Sequence, residues 1–275
     1  VKLFAENVAI LAPGLSGWDA SRDILAGVQL HRAEMFKMPA VDLLPAVERR
    51  RTNLLVKLAL AVGHAALAGA NRQLDSTPSV FASSGADGEV IHDICETLAG
   101  SDRQVSPTRF HNSVHNAPSG YWSIATHSHQ PSISLCGFEW SFATGLLESA
   151  AQLASGRPEV LLIACDIPYP EPLNSVRFVT QPFGAALLFT RERTDHSMAE
   201  LEMDVPSQAM ETTRMQDLLL EQMRKANPCA RALPLLAAIA GAKTQAVVLE
   251  REFGRSLKIS VRPCQAPNHR KPSAT

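Results

Sequence analysis

Residues 132–156, Ser-Ile-Ser-Leu-Cys-Gly-Phe-Glu-Trp-Ser-Phe-Ala-Thr-Gly-Leu-Leu-Glu-Ser-Ala-Ala-Gln-Leu-Ala-Ser-Gly, constrain the fold more than any other stretch. Ile133 and Leu135 alternate with serines, the two-residue period of a short strand, which enters a turn at Gly137. From Phe142 the period changes. Phe142, Leu146, Leu147, Ala150, Leu153 and Ala154 fall at helical spacing, and Gly156 supplies the expected stop. An apolar run, 160–164, follows within four residues and reads as a buried strand. Strand, tight turn, buried helix, strand is a βαβ unit, and such units place their chemistry at the turn that opens the helix. Cys136, Phe138, Glu139 and Trp140 stand in or beside that turn.

The rest of the chain sets bounds. Its 275 residues suffice for one large or two small domains, and 45% hydrophobic with 19% charged residues is an ordinary globular balance. A net charge of −1 gives no argument for nucleic acid or an anionic membrane surface. No apolar run reaches the roughly 18 residues of a membrane span, and residues 1–8 lack the core of a signal peptide. The five cysteines are odd in number and scattered, without a C-x-x-C pair. They read as reduced cytoplasmic thiols rather than a disulfide frame or a zinc site.

In chain order, residues 8–11 read as a first strand and 18–25 as a short helix or loop. Gly14 and Gly17 do not form a dinucleotide fingerprint. One long helix is expected over 47–69, opening with Arg49-Arg50-Arg51, charges that oppose a helix N-terminus and so read as a solvated basic turn. A strand at 79–83 and a helix at 90–98 follow. Residues 108–128 read as mainly helical and rich in polar groups, His111, Asn112, His115, Asn116, Tyr121 and Trp122 among them. Such groups beside an apolar stripe imply burial against something that satisfies them, such as another chain. His111-x-x-x-His115 has the spacing of a zinc pair, but no general-base Glu follows the first His. Interface or core histidines fit better, and no metal or cofactor is expected. Residues 183–190 form another apolar strand. From Arg191 the chain turns polar, which reads as the end of the main sheet. Helices are expected at 213–226 and 229–241, a terminal hairpin or separate strands at 246–249 and 257–261, and a disordered tail at 263–275.

Ser106 to Asn116, the run Ser119-Gly120-Tyr121-Trp122-Ser123-Ile124, residues 131–150 and Gly156 to Asp166 together resemble the amino-terminal half of the β-ketoacyl synthases, a thiolase-fold family. More narrowly they are similar to the ketoacyl synthase-like proteins of aryl polyene and xanthomonadin-type pigment clusters. Ser113-Val114-His115-Asn116-Ala117 and Ala143-x-Gly145-Leu146-Leu147-Glu148 carry most of the likeness. The resemblance, which runs from about Val8 to Thr190, implies an α/β fold, a mixed five-stranded thiolase-like half covered by helices over 1–190; residues 191–262 match nothing in it and read from their own pattern as an α+β carboxy-terminal extension. It also implies dimerisation through the strand ending near Cys136 and the helix before it.

The same resemblance places Glu139 where the family's reactive cysteine stands. A cysteine works there because the helix N-terminus favours thiolate. A carboxylate gains from the same dipole, by about 0.3–1 kcal/mol, but cannot carry an acyl thioester. Cys136 is the rival, three residues early and expected to be buried. Ser141 fits an N-cap. A serine hydrolase has no G-x-S-x-G elbow to stand on. The family's second half supplies two catalytic histidines, whereas only His196 and His269 follow the nucleophile helix here. The expectation is therefore a non-condensing, chain-length-factor-like subunit that pairs with an active ketosynthase, with an acyl carrier protein as a further partner. Phe138, Trp140, Phe142, His115 and Asn116 are its tunnel or interface candidates. Alternatives left open are a condensing enzyme using Cys136, a malonyl-thioester decarboxylase using a protonated Glu139, and a non-catalytic homodimeric scaffold.

Overall fold

A computed structural model describes residues 1–40 and 42–264. The chain opens with β1 (Lys2–Ala12), which folds back on β2 (Leu15–Ser16). Three helices follow: α1 (Trp18–Leu25), α2 (Ala46–Arg51) and α3 (Leu54–Gly69). After β3 (Ser79–Ala82) come α4 (Gly88–Ala99), α5 (Pro107–Asn112) and α6 (Ala117–Thr126). The predicted βαβ unit is β4 (Ser132–Leu135), α7 (Ser141–Ala154) and β5 (Glu159–Asp166). The remainder is α8 (Leu173–Val176), β6 (Phe183–Thr190), β7 (Ala199–Asp204), α9 (Leu218–Ala226), α10 (Leu233–Ala240), β8 (Gln245–Glu250) and β9 (Ser256–Pro263).

The strands form one mixed sheet in the order β4-β3-β5-β6-β1-β7-β9-β8, with β2 alongside β1. The first five are the expected thiolase-like half: β4, β3 and β5 run parallel, and β6 is antiparallel to both β5 and β1. The sheet does not end at Thr190. β7 pairs with β1, and β9 and β8 continue it. Ala199, Leu201 and Met203 face the core, while Glu200, Glu202 and Asp204 alternate with them. That is a half-solvated antiparallel strand, which a search for continuous apolar runs misses. Its outer face is laced by Lys2–Glu200 at 2.7 Å, Arg262–Glu200 at 2.7 Å and Arg262–Glu202 at 3.0 Å.

Helices cover both faces of the sheet. On one, α3 lies across β1, β5 and β6 through Leu58, Val62 and Leu67, with Trp122 of α6 beside it. On the other, α7 packs on β3 and β5, and α10 with a 3₁₀ turn at Cys229–Ala232 completes the layer. Gly145 is what lets α7 sit so close, since a Cβ there would fall 2.8 Å from Ala82 Cβ and from Leu162 Cδ1.

Two expected helices are broken. The 47–69 helix divides at Thr52, which is extended, and Asn53 restarts it by accepting from Val56 N at 2.9 Å. The 108–128 helix divides between Asn112 and Ala117, so the His111/His115 pair does not share a continuous helix. Residues 213–217 are not helical: Thr213 instead pairs with Val248 and covers the edge of β8. At the carboxy terminus β9 runs through Pro263, where a tail was expected. The rest of that expected tail, 265–275 with His269, lies outside the described residues.

Candidate functional site

The turn between β4 and α7 is built from its own side chains. Ser141 Oγ donates to the Phe138 carbonyl at 2.8 Å and accepts from Gly137 N at 3.1 Å. Ser141 therefore closes the turn rather than capping the helix, whose N-cap position is Trp140. Thr144 Oγ1 reaches back to the Trp140 carbonyl at 3.0 Å, and a Cβ on Gly137 would lie 2.4 Å from that hydroxyl. The strained residue is Phe138, with φ 52° in the left-handed region. A bulky side chain held there is a backbone cost that functional turns carry.

Phe138 is 50% exposed, and the guanidinium of Arg177 lies 4.0 Å from its ring centroid. Glu139 turns away from it to Arg231, 2.9 Å from Oε2, and Arg231 also binds Glu250 at close range. A guanidinium has only donors, so toward Arg231 the Glu139 carboxyl serves as an acceptor. Trp140 lines a separate cavity of about 340 Å³ with Met210, Arg251 and Arg255. Phe142 is fully buried in the core, away from any surface. Cys136 is exposed, contrary to expectation, because β4 is the outermost strand of the sheet and leaves that side open. Its Sγ donates to the Ser84 carbonyl at 3.3 Å, the same oxygen that Arg177 Nη2 reaches at 2.9 Å.

His115 is half-buried and its Nε2 meets the Ser83 carbonyl at 3.3 Å, so that nitrogen carries the proton toward backbone rather than serving Cys136 as a base. Asn116 is exposed at the start of α6 and makes no capping bond. His111 lies edge-on to Tyr121, 6.0 Å between centroids. The two histidines thus turn to different partners. His196 sits exposed in the turn before β7. Among the described residues no three His, Cys, Asp or Glu side chains are grouped to hold a metal ion, and no helix is long and apolar enough to cross a membrane.

Beneath the turn lies a centre that sequence reasoning missed. Asp166, at the end of β5, is buried, and its Oδ1 accepts from Ser84 N at 2.8 Å, Ser84 Oγ at 2.9 Å and Ser83 Oγ at 3.0 Å. Oδ2 accepts from Cys229 N at 3.2 Å. Burial raises the Asp166 pKa, opposed by these hydrogen bonds. Asn227 adds a clasp, its Nδ2 donating to the carbonyls of Asp166 and Gln181 and its Oδ1 accepting from Cys229 N and Ala230 N. One carboxylate thus ties the ends of β3 and β5 to the carboxy-terminal layer. Burial also pushes the thiols of Cys165 and Cys229 well above the ordinary range, which makes them inert. Tyr169 completes the floor: its hydroxyl is 3.4 Å from Ser84 Oγ and its ring is 5.4 Å from the Arg177 guanidinium. The available signal was an Asp ending an otherwise apolar strand.

Residues 26–252 match the family model described as the β-ketoacyl synthase N-terminal domain. The chain belongs to that family. No curated protein matches it at the sequence level. Among solved structures it is similar to a ketosynthase (ApeO) in complex with its chain length factor (ApeC) from Xenorhabdus doucetiae, with a TM-score of 0.72 and 23% identity over 94% of this chain and 99% of that one. It is also similar to the AntDE:AntF assembly, a type II polyketide synthase acyl-carrier protein in complex with its hexaketide-bound ketosynthase (TM-score 0.71, 11% identity, 96% and 99% covered). The ishigamide ketosynthase/chain length factor is a third (TM-score 0.68, 13% identity, 96% and 99% covered). At these identities the likeness establishes the thiolase-like ketosynthase fold.

Proposed function

We propose that this protein is a non-condensing ketosynthase-like subunit of the chain-length-factor kind, which pairs with an active β-ketoacyl synthase and closes one side of its acyl channel. The observation that carries the reading is what fills the helix mouth. Phe138 takes the strained position under Arg177, Glu139 is held by Arg231, and Cys136 bonds to a backbone carbonyl rather than to a histidine. A condensing enzyme needs a thiolate there and a base to manage protons. The neighbours whose names include a chain length factor support the same direction.

The pairing face is the free edge of β4 with α5 and α6. Ile133 on β4, Phe110 on α5, Ile124 on α6 and Val114 between those helices are all exposed, as is Phe138 in the turn after β4. An open strand edge flanked by apolar side chains is a surface that a partner covers. An acyl carrier protein then delivers to the pair, and polyene-type chains in aryl polyene biosynthesis are the substrate class.

Co-expression with a ketosynthase encoded beside it tests the pairing and is expected to give a stable one-to-one complex. Alone, the protein is expected to show neither acylation by a loaded carrier protein nor release of CO2 from malonyl thioesters. The exposure of Cys136 favours one competing reading, a condensing enzyme that uses this thiol. An acyl adduct that vanishes in Cys136→Ala would establish it. Release of CO2 that is lost in Glu139→Ala would instead support the decarboxylase.

A further inference from the structure

Residues 31–40 have no regular secondary structure, yet this arm does not stand free of the fold. Phe36 and Met38 pack against the core that α3 makes with the sheet, and Leu44, just beyond, is buried in it. Where the arm meets α2 and the start of α3, the chain encloses a cavity of about 440 Å³. Met38, Leu44 and Leu60 give it apolar walls, and Asp42, Arg49 and Lys57 bring charge to it. No aromatic ring lines it among the described residues, so the apolar part of an occupant would meet aliphatic side chains and a thioether. The volume has room for about fifteen non-hydrogen atoms at roughly 30 Å³ each.

The charges at the cavity do not cancel. Arg49 is paired with Asp42. Lys57 is exposed, and among the described residues its ammonium has no ionic or hydrogen-bonding partner. Lys57 and Leu60 both line the cavity and stand three residues apart on α3, so they share one helix face. Helical side chains lean toward the helix N-terminus, which carries the Lys57 chain toward Thr52, itself part of the cavity wall. The first turn of α3 has no acidic residue to answer this charge. Over residues 42–57, four cations (Arg49, Arg50, Arg51 and Lys57) face two carboxylates (Asp42 and Glu48), an excess of two positive charges. The surroundings therefore favour an anion at the Lys57 end and aliphatic carbon at the Leu60 end.

We propose that this cavity binds a medium-chain aliphatic carboxylate, whose head meets the Lys57 ammonium and whose chain lies on Met38, Leu44 and Leu60. The site is separate from the helix mouth, because α3 and α7 cover opposite faces of the sheet. It does not rest on pairing with a ketosynthase.

Calorimetry on the full chain tests this with decanoate, 1-decanol and decyltrimethylammonium as probes. The expected result is saturable one-to-one binding of decanoate, about fivefold or more tighter than either of the others. Lys57→Gln changes an exposed side chain and is expected to weaken decanoate about fivefold while leaving decanol unchanged. Ala40→Trp, on an exposed residue of the cavity wall, fills part of the space and is expected to weaken decanoate about tenfold. Lys225→Gln, on α9 at a different cavity, is expected to leave decanoate binding unchanged. Absence of saturable decanoate binding, decanol binding as tight as decanoate, or unchanged decanoate affinity in Lys57→Gln or Ala40→Trp would each overturn the proposal. So would an equal loss of affinity in Lys225→Gln.

Discussion

Asp166→Ala tests whether one buried carboxylate holds the carboxy-terminal layer to the ketosynthase-like sheet. The substitution removes the acceptor for Ser84 N, and the hydroxyls of Ser83 and Ser84 must reorient. Cys229 N is less affected, because Asn227 Oδ1 also receives it at 2.9 Å. Stranding one buried N–H costs about 1–3 kcal/mol, and the void adds roughly 1 kcal/mol. Relief of the carboxylate's own desolvation offsets part of this, leaving a net loss of about 2–3 kcal/mol. Asp166→Asn keeps one acceptor oxygen for the Ser84 group and is expected to cost about 1 kcal/mol. The sign of the pH dependence separates the variants. Burial raises the folded pKa of this acid above its unfolded value near 3.8, so the folded state binds the proton more tightly. Its contribution is present at low pH and is lost as pH rises from about 4 through the raised pKa. Urea denaturation followed by tryptophan fluorescence, from pH 4 to 8, reads both quantities. The wild type is expected to lose stability relative to Asp166→Asn as pH rises. Asp166→Ala within about 0.5 kcal/mol of wild type (roughly the spread of neutral surface changes), or a wild-type advantage that grows with pH, would mean that Asp166 does not hold the two layers together.

Three further outcomes are expected. Arg231→Met unpairs Glu139 and Glu250, both partly exposed, and should cost about 1–2 kcal/mol in chemical denaturation; Glu139→Gln in that background should recover part of the loss. Gly137→Ala drives a methyl against Thr144 Oγ1 and the Ser141 backbone, and should lower stability by about 1–3 kcal/mol, with Thr144→Ala relieving it. Phe138→Gly releases the left-handed strain, so thermal unfolding of the isolated chain should be unchanged or shifted upward, while affinity for the proposed ketosynthase partner should fall about tenfold or more by calorimetry.

The βαβ unit was legible because its period changes from two to 3.6 at a glycine and its last strand is uniformly apolar. The sheet beyond Thr190 was not. β7 carries Glu200, Glu202 and Asp204 on a solvated face, so its polarity hides a strict alternation. The helix breaks at Thr52 and at 113–116 depend on local side-chain bonds that periodicity does not weigh. At the site, the turn residues were found but their partners were not. Arg177 reaches Ser84 across 93 positions, Arg231 reaches Glu139 across 92, and Asp166 meets Ser84 across 82. Separations of that size are set by strand order, which a single sequence leaves open. The exposure of Cys136 was misjudged for the same reason, since only the strand order makes β4 an edge.

Intact-mass spectrometry on the protein incubated with acyl- and malonyl-loaded carrier protein, with and without the proposed ketosynthase partner, distinguishes a non-condensing subunit from a condensing enzyme. The mass of this chain is expected to stay unmodified in both conditions while the partner's cysteine takes the acyl group. A stoichiometric acyl adduct on this chain that disappears in Cys136→Ala would contradict it.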